Sequence, residues 1–167
     1  MSVLLLVGCV RTDSGPGRRV SDLTANELAE TLGVHWWIVK LPEDIGPKDK
    51  VGVELVDSDG KRLEGGGGFM QGSAGPRIGG EMRVFCWEDE ATGLLKVRSE
   101  IADDGAATAS YTDYLKGAAV GGPGNGAVQN VGDILMKFDS TKSPSFTGGN
   151  VMSPGQVGLR VCIERRP

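Results

Sequence analysis

The sequence predicts a mainly β chain, folded as an antiparallel β-sandwich or barrel of about seven or eight strands with one short N-terminal helix. Three observations carry this reading. Short runs of β-branched and aromatic residues alternate with polar ones at a period of two. Turn residues punctuate those runs at short intervals. A single segment, near residue 25, carries helix-start chemistry. Many short strands with turns between them fit two packed antiparallel sheets, or one sheet closed on itself.

The helix comes first. Thr24-Ala25-Asn26-Glu27 is a capping box, with Thr24 at the N-cap and Glu27 three residues on. Leu23 and Leu28 stand at the positions of a hydrophobic staple. Gly33 supplies a stop. The helix is expected over 25–32, with Leu28 and Leu32 on its buried face. Val34 to Leu41 reads as a strand ending at Pro42, and Val51 to Val56 as another. Asp57-Ser58-Asp59-Gly60 is a hairpin turn into Lys61 to Glu64. Gly65 to Gly80 reads as a glycine-rich loop. Met82 to Glu88 and Leu94 to Ile101 form a hairpin around Ala91-Thr92-Gly93. Residues 102–131 are long for a connection and hold either a short helix near Thr112 to Ala118 or a pliable loop. Alternation returns over Ile134 to Phe138 and again over Val157 to Ile163.

Length and composition bound what the chain does. At 167 residues it fits one domain with a substantial core. Gly (27) and Pro (8) make up about a fifth of it, short of a disordered composition. The net charge is −4, with both signs interspersed and no basic stripe, which argues against a nucleic-acid partner. No apolar run is long enough to span a bilayer.

Residues 1–22 divide into an apolar segment and a polar linker ahead of a β-rich domain at 23–167. Leu6-Val7-Gly8-Cys9 resembles the lipobox of bacterial lipoproteins. The resemblance implies cleavage before Cys9, lipid on its sulfur, a tether after it, and a place in the cell envelope with a membrane as partner. The eight residues before Cys9 are fewer than a full leader and none is basic. The alternative is a first strand, Val3 to Val10, in a cytoplasmic protein. With Cys9 lipidated, Cys86 and Cys162 remain as a candidate disulfide. Alternation puts Cys162 on a polar face, so a bond requires Cys86 to face outward, with Phe85 and Trp87 inward; two separate thiols are the simpler expectation.

Chemistry is sparse. His35 is the sole histidine and lies at the start of an apolar strand, where a structural role is expected. Gly122-Pro123-Gly124-Asn125-Gly126-Ala127 matches a dinucleotide fingerprint in letters, but that mechanism needs a strand before it and a helix after it. No Cys and His pair has zinc spacing, and acidic clusters such as Asp57 with Asp59 are explained by turns. No cofactor or metal is expected. The best binding feature is aromatic. Adjacent Trp36 and Trp37 point to opposite faces of a strand, so one can fill the core and the other can meet a ligand. The alternative is that both faces are covered, since Val34 and Ile38 accompany one Trp and Val39 and Leu41 the other. Tyr111 and Tyr114 form a second candidate patch. The expectation is a non-catalytic, envelope-tethered module with a binding or structural role and a glycan or protein partner. Alternatives are a glycan-binding module, a small hydrolase, or a cytoplasmic assembly subunit.

Overall fold

The structure is a computed structural model that describes residues 23–46, 48–71, 80–101, 105–111, 118–141 and 143–166; over 64–71 and 105–111 it describes the backbone alone. One helix, α1 (Ala25–Thr31), precedes ten strands. They are β1 (His35–Lys40), β2 (Lys50–Val56), β3 (Arg62–Gln71), β4 (Glu81–Asp89), β5 (Leu94–Ile101), β6 (Gly105–Tyr111), β7 (Ala119–Gly121), β8 (Ala127–Asn130), β9 (Ile134–Asp139) and β10 (Val157–Glu164). The expected sandwich is observed, and it is not a closed barrel. The first sheet runs β6-β5-β4-β1-β8 and the second β3-β2-β10-β9-β7. Every pairing is antiparallel except β1 with β8, which is parallel.

Alternation explains the core. Trp37 and Val39 of β1 stand in register with Val84 and Met82 of β4, and Cys86 of β4 with Val97 of β5. All six side chains are sealed from solvent. From the second sheet Val51, Val53 and Leu55 of β2, Met136 and Phe138 of β9, and Leu159 and Val161 of β10 meet them in one cluster. Burying an aliphatic side chain of this size contributes about 1.5–3 kcal/mol, and this shared interior holds the two layers together.

Three sequence expectations are revised. The strand count is ten among the described residues. Gly65 to Gly68, expected in a loop, belong to β3, whose backbone pairs Gly67 with Glu54 and Gly68 with Val53. Glycine runs show no alternation, so pairing that uses backbone groups alone leaves no trace in hydropathy. The connection 102–131 contains β6, β7 and β8, built of small residues or only three or four residues long; the helix expected at Thr112 to Ala118 falls almost wholly outside the described residues. The other strands form within a residue or two of their expected bounds.

Candidate functional site

The outward faces of the two sheets differ, and the site lies on the first. There β1 presents Trp36 and Ile38, and β4 presents Arg83 and Phe85; Trp36 pairs with Phe85 and Ile38 with Arg83. Val128 of β8 stands beside Ile38 on the same face and is 53% exposed. Helix α1 lies over this face. Its capping box is complete: Thr24 N–H donates to Glu27 Oε2 at 2.8 Å, and Glu27 N–H donates to Thr24 Oγ1 at 3.2 Å. At the other end Gly33 takes a left-handed φ of 64° and donates to Glu30 O, ending the helix where expected.

The helix does not close onto the sheet. Its Leu28 and Leu32, expected on a buried face, are 38% and 65% exposed, and no residue of α1 is buried. Between helix and sheet runs an apolar groove of about 450 Å³, within the range of ligand pockets, about 300–1,000 Å³. The helix lines it with Ala25, Leu28, Ala29 and Leu32; Val34, Trp36 and Ile38 form its floor with Phe85; among the described residues Arg83 is its one charged residue.

Trp36 is held from below by the turn between β7 and β8. Asn125 Oδ1 accepts from Trp36 N–H at 2.9 Å, Asn125 Nδ2 donates to Val34 O at 3.3 Å, and Gly126 N–H donates to Trp36 O at 2.9 Å. This is the stretch that matches a dinucleotide fingerprint in letters. A strand, β8, follows it rather than a helix, so it lacks the helix N-terminus that would receive a pyrophosphate. A second hollow of about 420 Å³ lies between this turn and His35. Asn125 on its wall already uses its amide oxygen and one amide N–H in the bonds just described.

The candidate residues therefore separate. Trp37 is 1% exposed, and its indole N–H donates to Pro123 O at 3.1 Å, so no face of it is left for a ligand. Trp36 is half-buried in the groove. Tyr111 ends β6, but its side chain lies outside the described residues, as do Tyr114 and Cys9. The candidate disulfide is not formed, and the simpler expectation of two separate thiols is what the structure has. Cys86 and Cys162 are free thiols, because Cys86 points into the core from the first sheet while Cys162 lies on the outer face of the second, near Glu54. Burial pushes the Cys86 thiol up to about 12; burial and then the Glu54 carboxylate do the same for Cys162. The His35 ring stacks on Trp37, centroids 6.3 Å apart, and burial lowers its pKa below the usual imidazole value. Among the described residues no group of three His, Cys, Asp or Glu side chains is placed to hold a metal ion.

Sequence reasoning named Trp36 and Trp37 together without choosing between them, and missed Phe85 and Arg83. Their place in the groove follows from the β1–β4 register, which no local pattern encodes. The signal that was there is the outward phase of Phe85 once Cys86 is taken as interior. No family model matches the chain, and no curated protein or solved structure matches it.

Proposed function

We propose that the protein is a non-catalytic binding module that receives an apolar element in the groove between α1 and the first sheet. One observation carries this reading. Of the five large hydrophobic side chains that stand exposed among the described residues, Leu28, Leu32 and Val128 border this one face. Exposed apolar surface concentrated around a concave site is a mark of binding. The lining argues for an apolar ligand over a glycan. A sugar ring stacked on Trp36 would need polar partners around it, and Arg83 is the one charged lining residue among the described residues. The non-catalytic part draws on His35 and the two thiols: the ring is stacked on Trp37, and neither thiol is in the range of a nucleophile.

The test is a fluorescence titration of the full chain with anilinonaphthalenesulfonate, a dye that brightens on apolar surface. Leu28→Glu and Trp36→Ala are expected to weaken binding at least ten-fold without unfolding the sandwich. Dye binding that neither substitution changes removes the reading. A second reading, favoured by Leu6-Val7-Gly8-Cys9, holds the module at an envelope membrane through lipid on Cys9. Incorporation of a labelled fatty acid into the wild type but not into Cys9→Ala supports the tether; equal labelling of both excludes it.

A further inference from the structure

We infer that the apolar element seated in this groove is the chain's own N-terminal segment, Val3 to Val10. This rests on the binding reading above and names the occupant. Three facts point to it.

The first is chemical match. Val3-Leu4-Leu5-Leu6-Val7-Gly8-Cys9-Val10 holds seven apolar side chains in eight residues and no charge. The groove offers an apolar lining with, among the described residues, a single guanidinium. Covering Leu28, Leu32, Trp36 and Ile38 with aliphatic chain removes from water the apolar surface that the helix leaves open.

The second is chain length. Twelve residues, 11–22, separate the segment from Leu23. Fully extended they reach at most about 40 Å. Ala25, two residues beyond Leu23, already lines the groove. The segment therefore starts next to its site and needs no long path. A tether this short also gives an effective concentration on the order of millimolar, so a contact too weak to hold a free peptide is well populated in the intact chain.

The third is composition along the way. The linker is polar, with Arg11, Asp13, Ser14, Arg18 and Arg19. Within residues 1–22 the one dense apolar run is this block, at the far end of that linker. Self-occupancy also gives the groove a control point: in a chain cleaved ahead of Cys9, most of the block is lost and the groove stands open to another apolar ligand.

The experiment uses the full chain with Cys162→Ser, so that a nitroxide reagent labels Cys9 while Cys86 stays sealed in the core. Methyl resonances of Leu28, Leu32 and Ile38 are then compared with the spin label active and reduced, at low protein concentration. Broadening at least three-fold greater than in the variant with Leu4, Leu5 and Leu6 all replaced by Glu is expected, because that variant keeps the tether and loses the apolar contact. The same triple substitution should increase anilinonaphthalenesulfonate binding at least three-fold by vacating the groove. Unbroadened methyls overturn the inference. The dye then decides the binding reading separately: binding that Leu28→Glu abolishes leaves that reading standing, and binding unchanged by Leu28→Glu ends it. Broadening seen only between spin-labelled and separately isotope-labelled chains also overturns it, in favour of a second copy as occupant.

Discussion

Both sheets are roofed by a segment that is not a strand, and the two roofs are built by opposite means. The second sheet is covered by the connection between β9 and β10. Lys137 of β9, on the outer face, is 2% exposed and drives its Nζ into that roof, donating to Thr147 O and Val151 O at 2.6 Å each. Asp139 accepts from Thr141 N–H at 2.9 Å and from Gln156 Nε2 at 3.0 Å, and Gln156 also donates to Ser145 O at 2.7 Å. Asn150 bridges Ile134 N–H and Asp133. Glycine lets the roof sit flush: a Cβ on Gly121 would overlap the Phe146 ring, and one on Gly158 would come within 2.7 Å of Met152 Sδ. The first sheet, by contrast, is roofed by a seven-residue helix that lines the gap with apolar side chains and leaves a groove. Directional bonds seal a roof onto a sheet because each one specifies a distance and an angle. Hydrophobic contact specifies neither, so a short helix can hover over a sheet and leave room for a guest.

Four expectations would break or sharpen this contrast. The largest effect is expected from Lys137→Ala, which leaves the Thr147 carbonyl without its ammonium donor and deprives Val151 O of one of its two donors, the other being Thr147 Oγ1. A loss of about 2–4 kcal/mol follows from removing hydrogen bonds to a charged group and stranding a carbonyl. Urea unfolding measures it, and a loss below about 1 kcal/mol would mean the roof is held some other way.

Acid should act next on the same roof. The Thr141 side chain, then the Gln156 amide, hold the Asp139 carboxyl down at about 2, below the ordinary aspartate value. The Asn150 amide, then the Asn130 N–H, likewise lower Asp133, while Gly46 N–H lowers Asp49 and Arg165 lowers Asp44 at the opposite end. A depressed carboxyl stabilises the fold above its unfolded pKa and ceases to as pH falls through its folded one. The urea midpoint should therefore drop between about pH 4 and pH 2. Asp139→Asn should make that fall shallower; an unchanged slope would remove Asp139 from the account.

Thr24→Ala comes third. Losing an N-cap costs about 1 kcal/mol of helix stability. Because α1 buries no residue, the cost should register in faster amide exchange at 27–31 and weaker dye binding, with little shift in the global midpoint. The smallest stability effect belongs to Leu32→Glu. At 65% exposure it should leave the midpoint within about 0.5 kcal/mol of wild type. A larger loss would show that the helix face is more tightly packed than described.

The two roofs also differ in how far the sequence revealed them. The capping box of α1 is legible because its chemistry is local, between residues three apart. Where Leu28 and Leu32 end up is not, since amphipathic spacing says that a face seeks apolar surface and not how closely it approaches. Lys137 shows the converse. Alternation places it on the outer face, and there it is; its burial depends on carbonyls of residues 147 and 151, which carry no side-chain signature. Glycines 65–68 and the small residues of β6 were unreadable as strands because their pairing is through the backbone. Trp36 and Trp37 were separable by period alone, whereas Phe85 entered the site through the register of β1 against β4.

The last strand in chain order, β10, sits at the centre of its sheet, between β2 and β9, and pairs Cys162 with Gly52 across more than a hundred residues. On the ribosome the middle place of that layer stays vacant until translation has passed residue 164. The first layer waits as well, since the core is shared and β8 follows β7 of the other sheet. Such a chain folds late and all at once, with the slow kinetics of distant pairing. A nascent-chain series should therefore resist protease only once β10 has left the exit tunnel.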